Sequence, residues 1–209
     1  AFGGLIGVHA ENAEVAAFGS EEMAARAGVP NSMHDEARPW WVELEAIERA
    51  VLFARNTGAR LYICHMTIPE GAQFIKQAKM DGVPVYAETC PHYLLFDKSI
   101  MDERGAFAKC NPPIRSREQV EKLWNYVFDG TIDTLGSDHG PYTDEEKQKN
   151  GNFFLEYSGF GGFDAMLAGM ITEGVHKRGL PLTTLSRITA TNTAAIMGLA
   201  PCKGTLLPG

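Results

Sequence analysis

Four short apolar runs punctuate the chain: Gly4–Val8, Arg60–Cys64, Val83–Ala87 and Thr131–Leu135. Each has strand length and few charges. Runs that are apolar on both faces belong to buried parallel strands. Helical periodicity fills the space between them. Trp41–Asn56 places Leu44, Ile47, Val51 and Ala54 on one face, with Gly58 as the stop. A second helix opens at Pro69-Glu70 and turns Ala72, Ile75 and Ala78 inward. Ser116 to Gln119 reads as a capping box before Val120, Leu123, Trp124 and Val127, with Gly130 as the stop. Phe163–His176 and Pro181–Met197 carry two further helical patterns, and residues 138–160 read as a long polar loop. There is no repeat and no low-complexity segment.

Strand alternating with helix predicts a parallel α/β architecture. A complete (β/α)8 barrel takes about 250 residues, and four strands make half of one. Residues 1–200 are therefore expected to form either a partial barrel or a small open α/β sheet, and the site residues decide between the two. The chain opens at Ala1 directly into an apolar segment, which predicts a processed or partial chain.

Composition narrows the function classes. The 209 residues are 44% hydrophobic and 22% charged, with a formal net charge of −7. That is a globular composition with apolar mass enough for a core. Its acidic balance argues against a nucleic-acid surface. No apolar run reaches a membrane span, and no signal peptide is visible. Cys64, Cys90, Cys110 and Cys202 form no C-x-x-C pair and no disulfide framework. A reducing, cytoplasmic setting is the expectation.

Three of the four runs end in residue types that bind metals: His9, His65 and Asp138. In a parallel barrel all strand C-termini open on one face, and that face carries the site. The three residues are thus expected to converge, and imidazole with carboxylate suits zinc or a similar divalent ion. Each alone has a bland reading, as a hydrogen-bonded structural histidine or a turn aspartate. Glu11 and Asn12 either support His9 or begin the next helix. His92 reads as structural, and His139 as either structural or a substrate contact. His34 and His176 read as solvated, and Trp40 and Trp41 as packing residues.

Four motifs carry a resemblance: His9-Ala-Glu-Asn12, Glu88-Thr-Cys-Pro-His-Tyr-Leu94, Lys109-Cys-Asn-Pro-Pro-Ile-Arg115 and Ser137-Asp-His-Gly-Pro141. In order and spacing the chain resembles the cyclic amidohydrolases, the hydantoinase, dihydropyrimidinase, allantoinase and dihydroorotase group of the amidohydrolase superfamily. The likeness runs from Gly7 to Gly209 and implies strands five to eight of a (β/α)8 barrel. Lys203–Gly209 resembles the exit towards a β-sandwich, so 201–209 would form a separate segment.

The resemblance implies hydrolysis of a small cyclic amide, such as a hydantoin, dihydropyrimidine or allantoin, at two divalent ions, usually zinc. By this likeness His9 and His65 bind one metal. Asp138 binds the other and acts as general base. Asn111 contacts the cyclic amide. Hydantoinases typically carry Ser there and dihydroorotases Asn, which leaves the ring class open. Ser158 stands where the glycine-rich loop presents another substrate contact, although a plain connecting loop explains it equally well. The family also implies a homo-oligomer, a tetramer.

The family's His-x-His pair and bridging lysine have no counterpart in these residues, so the chain is expected to supply half of a binuclear centre. Two other readings compete. One is a non-catalytic dihydropyrimidinase-related scaffold, which would have no need of His9, His65 and Asp138 together. The other is a mononuclear deaminase, for which the Asn-Pro-Pro and Glu-Thr-Cys-Pro-His-Tyr segments look wrong.

Overall fold

The computed structural model describes residues 3–159, 161–163 and 166–208. Phe160 of the glycine-rich loop, Asp164 and Ala165 of the fourth predicted helix, and the terminal Gly209 lie outside them. Four strands, β1 (Leu5–Val8), β2 (Arg60–Ile63), β3 (Val85–Thr89) and β4 (Thr134–Leu135), form one sheet in chain order. Every pairing is parallel, with Leu5 opposite Arg60, Leu61 opposite Val85 and Glu88 opposite Thr134. All strand C-termini therefore lie along one edge, as the barrel reading requires.

The crossovers run through α3 (Trp40–Thr57), α4 (Pro69–Met80) and α7 (Arg117–Phe128), and α4 packs against both of the others. Their apolar stripes meet one face of the sheet. Ile47, Val51, Ala54, Ile75, Ala78, Leu123 and Val127 join Leu61, Ile63, Val85, Ala87 and Leu135 in one buried cluster. Burying the Val, Leu and Ile side chains among these contributes roughly 1.5–3 kcal/mol each. Gly58 closes α3 with φ of 69°, a left-handed turn that costs glycine little. Ser116 Oγ accepts from Gln119 N as the N-cap of α7. The reciprocal arm differs from a full capping box, because the hydroxyl donates to Gln119 Oε1 at 3.2 Å.

The opposite face corrects the reading of strands apolar on both sides. Tyr62, Glu88 and Thr134 stand on it and hydrogen bond to one another, with Tyr62 Oη 2.8 Å from Glu88 Oε2 and 2.6 Å from Thr134 Oγ1. Two strand starts also move. Val83 donates its N–H back to Ala78 O and Gly82 takes φ of 81°, so the chain is still closing α4 where β3 was expected. Ile132 N likewise bonds to Tyr126 O, tying it to α7, and pairing begins only after it.

The helix offered as one reading of Glu11 and Asn12 is present as α1 (Ala13–Ala24), whereas the sequence pattern passed over α2 (His34–Ala37), α5 (Pro91–Leu95) and α6 (Ile100–Arg104). Residues 138–160 hold more structure than a loop: α8 (Asp144–Lys147), with a full capping box between Thr143 and Glu146, and a short 3-10 turn at Phe153–Leu155. The two later helical patterns are present, each interrupted by wider π turns at Met170–Lys177 and Arg187–Thr191. Residues 201–208 form no helix or strand. No described helix is long and apolar enough to cross a membrane.

Candidate active site

His9 leaves β1 one residue after Val8, His65 follows β2, and Asp138 follows β4, so all three occupy the C-terminal edge of the sheet. His9 and His65 meet there. His9 Nδ1 lies 3.0 Å from His65 Nε2, with the rings edge to face at 4.7 Å. Two imidazole nitrogens on one tetrahedral zinc, at about 2.0–2.1 Å each, stand about 3.3 Å apart. The pair therefore has close to the separation a single divalent ion would impose.

The other nitrogen of His9 is engaged. Its Nε2 lies 3.0 Å from Glu11 Oε2. Arg38 grips the same carboxylate twice, Nε to Oε1 at 2.9 Å and Nη2 to Oε2 at 2.6 Å. Burial alone would raise the Glu11 pKa, but the hydrogen bonds from His9 and Arg38 and the guanidinium charge bring it down to about 2. A permanent carboxylate on Nε2 favours the proton there and leaves the Nδ1 lone pair free for a cation. Burial and the neighbouring His9 lower the pKa of His65, while Asp138 opposes them. The donor set thus fits a divalent ion at two positions. Among the described residues no three His, Cys, Asp or Glu side chains form a complete metal-holding group, and Asp138 does not complete one with the histidine pair.

Among the described residues, His65 and Asp138 alone are non-glycine residues with positive φ, at 38° and 45°. Such a backbone costs on the order of 1–3 kcal/mol and collects at functional sites. Both occur at strand ends where the sequence pattern placed ligands.

The other expected site residues lie in the chain's connections. His34 is fully buried, which corrects its reading as solvated: its Nε2 faces Asn111 Oδ1 at 2.9 Å and Cys110 O at 3.2 Å. Both partners accept, so Nε2 carries the proton and the ring fixes the Asn111 amide. Burial, with the Lys109 and Arg38 charges, lowers the His34 pKa to about 3. Ser158 is half-buried in a segment whose Gly159 N donates to Lys109 O at 2.9 Å. The buried Lys147 Nζ donates to the carbonyls of Lys109, Tyr157 and Gly159, at 2.9 to 3.2 Å. The Ser158 segment is thereby pinned to the connection before α7 that carries Asn111.

His139 is exposed, with its ring 6.1 Å from that of Phe163. His92 is buried against Tyr93, as a structural histidine would be. His176 is exposed as expected. Trp40 and Trp41 are 42% and 47% exposed, so they are not core packing residues. Glu11 and Asn12 divide the two readings offered for them: Glu11 backs His9, while Asn12 Oδ1 caps α1 by accepting from Val15 N. Arg38 and Lys147 escaped the sequence reading, and Glu88 and Lys109 entered it only as members of motifs, because nothing in their local pattern marks a charge that residues far along the chain will meet.

No family model matches the chain. An allantoinase of Escherichia coli O1:K1 is 38% identical over 202 residues, which cover 97% of this chain and 44% of that protein. An L-hydantoinase (dihydropyrimidinase) from Arthrobacter aurescens superposes with a TM-score of 0.94 at 35% identity, over 99% of this chain and 46% of that one. A dihydropyrimidinase from Brevibacillus agri NCHU1002 gives 0.92 at 30% identity, over 99% of this chain and 46% of that one. The chain spans less than half the length of the relatives it matches. Agreement in sequence along nearly the whole chain, and in fold with the four-strand parallel sheet, makes this chain a member of the cyclic amidohydrolase family, corresponding to part of its (β/α)8 barrel.

Proposed function

We propose that this chain supplies one side of the active site of a metal-dependent hydrolase that opens a small cyclic amide. The observation that carries the reading is the His9–His65 pair, 3.0 Å apart at the strand ends, with Glu11 and Arg38 fixed behind it. His9 Nδ1 and His65 Nε2 would hold one divalent ion, and Asp138 would serve a second. When bound, such ions polarise the ring carbonyl and bring the pKa of the attacking water towards neutrality.

The remaining work falls to this chain's side chains. Asp138 is exposed at the edge, where its carboxylate takes a proton from the attacking water and returns it to the departing ring nitrogen. Asn111, locked by His34, binds the amide of the ring. Ser158 adds a contact from the segment pinned by Lys147, and His139 stands beside Asp138 as a further contact. The relatives act on allantoin-type and hydantoin-type rings by name, and the substrate class proposed here is their shared cyclic ureide amide. A scaffold role would leave the left-handed backbone at His65 and Asp138 without a purpose. Lys203–Pro208 is read as the exit from the barrel, and the assembly as a cytoplasmic homo-oligomer, which sedimentation would check.

The test is ring opening of allantoin, hydantoin and dihydrouracil by the full-length enzyme containing this segment, with and without zinc. Zinc-dependent opening of at least one ring that is lost in Asp138→Asn is the expected result. A protein that carries the complete ligand set and opens none of them would refute the reading.

A further inference from the structure

Glu88 lies on the polar face of the sheet, near the end of β3, and makes four contacts that bear on the site. Its Oε1 accepts the backbone N–H of His65 at 3.0 Å. Its main-chain carbonyl accepts the N–H of the next residue, Met66, at 2.8 Å. Its Oε2 accepts from Tyr62 Oη at 2.8 Å. The carboxylate also lies directly over Gly136, where a Cβ would meet Glu88 Oε2 at 2.2 Å. One residue thus ties down both amides around the left-handed turn at His65, and the room it occupies is left by a glycine two residues before Asp138.

We infer that Glu88 is a positioning residue that seats His65 for metal binding, with Gly136 keeping the space it needs. The inference rests on the reading of His9 and His65 as a metal pair. The physical argument concerns geometry. His65 has φ of 38°, a conformation that persists only when its surroundings hold it. The Glu88 side chain supplies a hydrogen bond to the amide of that very residue, and the hydroxyl of Tyr62 holds the carboxylate in place. Without that bond the turn can relax towards ordinary φ, and His65 Nε2 swings off the line to His9 Nδ1. Glu88 itself need not touch the ion. A glutamine can reproduce both of its roles, accepting from His65 N through Oε1 and meeting Tyr62 Oη with its amide.

The experiment is a zinc titration of the full-length enzyme containing this segment, with 15N-labelled histidine, read at the imidazole nitrogens of His9 and His65. In the wild type both rings are expected to shift together. Glu88→Ala should weaken zinc binding by about 10–100-fold, the usual loss when an outer partner of a ligand is removed. Glu88→Gln should stay within about threefold of wild type. Gly136→Ala leaves Glu88 in the sequence but pushes its carboxylate aside, and should reproduce the Glu88→Ala loss. Only the far end of a flexible side chain has to yield there, so this variant is expected to keep its fold. The double variant should bind no worse than Glu88→Ala alone, because both changes remove one interaction.

A wild type whose His9 and His65 rings do not respond to zinc would overturn the metal reading and this inference with it. A responsive wild type with unaffected Glu88→Ala and Gly136→Ala would overturn the inference and leave the metal pair standing. Loss in Glu88→Gln as severe as in Glu88→Ala would also overturn it, by showing that the charge rather than the seating of His65 matters.

Discussion

Arg38 holds the Glu11 carboxylate through two of its guanidinium nitrogens, and His9 meets the same carboxylate from the other side. The Glu11 side chain is 1% exposed and that of Arg38 13%. Removing one member strands the other in a nearly dry place, which costs on the order of 3–5 kcal/mol. Glu11→Ala is expected to lower the unfolding free energy by about that much and, through His9, to weaken zinc binding about 10–100-fold. Urea unfolding and a zinc titration check the two effects. A stable Glu11→Ala with unchanged zinc affinity would show that the carboxylate does not orient His9. The pKa of about 2, against 4.5 for a free glutamate, gives the pH sense. Glu11 contributes about 3 kcal/mol above pH 4.5, and that contribution disappears as the pH falls towards 2.

Asp138→Asn should leave the fold intact and cut turnover of the full-length enzyme by at least about 10²-fold, the low end for a lost general base. Asparagine tolerates the left-handed backbone as well as aspartate does, and the side chain is exposed, so little stability is at risk. Circular dichroism and steady-state kinetics on the same preparation separate the two. Turnover within a few-fold of wild type would remove Asp138 from the proton transfer.

His34 makes acid stability a test of the Asn111 lock. Its pKa is lowered to about 3 from 6.5 by burial and by the Lys109 and Arg38 charges. Between these values the unfolded chain binds the proton and the folded chain does not, so stability rises with pH across that window. It is lost, by up to about 1.4 kcal/mol per pH unit, as the pH falls from 6.5 towards 3. His34→Gln keeps an N–H donor for Asn111 Oδ1 but cannot titrate. Its unfolding free energy is expected to fall less steeply over pH 6.5 to 3, measured by urea unfolding at several pH values. Parallel slopes would mean that His34 is already protonated in the fold.

The 209-residue chain alone is expected to be silent on cyclic amides. Its described residues bring two imidazoles together but no third ligand, and a catalytic zinc site normally takes three protein ligands. The assay is the same panel of rings with added zinc. Metal-dependent opening by the chain alone, at a rate near that of the full-length enzyme, would show that one side of the barrel suffices.

The sequence by itself determined the order of strand and helix, the helix-facing core and the strand ends that carry His9, His65 and Asp138. Those features follow from local rules: an apolar run of strand length, a stripe at helical spacing, a glycine stop. Ile47, Val51, Ile75 and Leu123 are buried where periodicity put them. Only the tertiary structure decided which polar groups are enclosed. His34 is taken from solvent by Asn111, which lies 77 positions along the chain. Lys147 is buried because the carbonyls of Lys109, Tyr157 and Gly159 converge on it. Glu88 reads as one more polar residue at a strand end until parallel pairing sets it beside Tyr62, under the amide of His65 and over Gly136. Periodicity reports which face of an element meets the core. It does not report which distant charge or carbonyl will stand opposite, because that pairing exists only once the strands are in register.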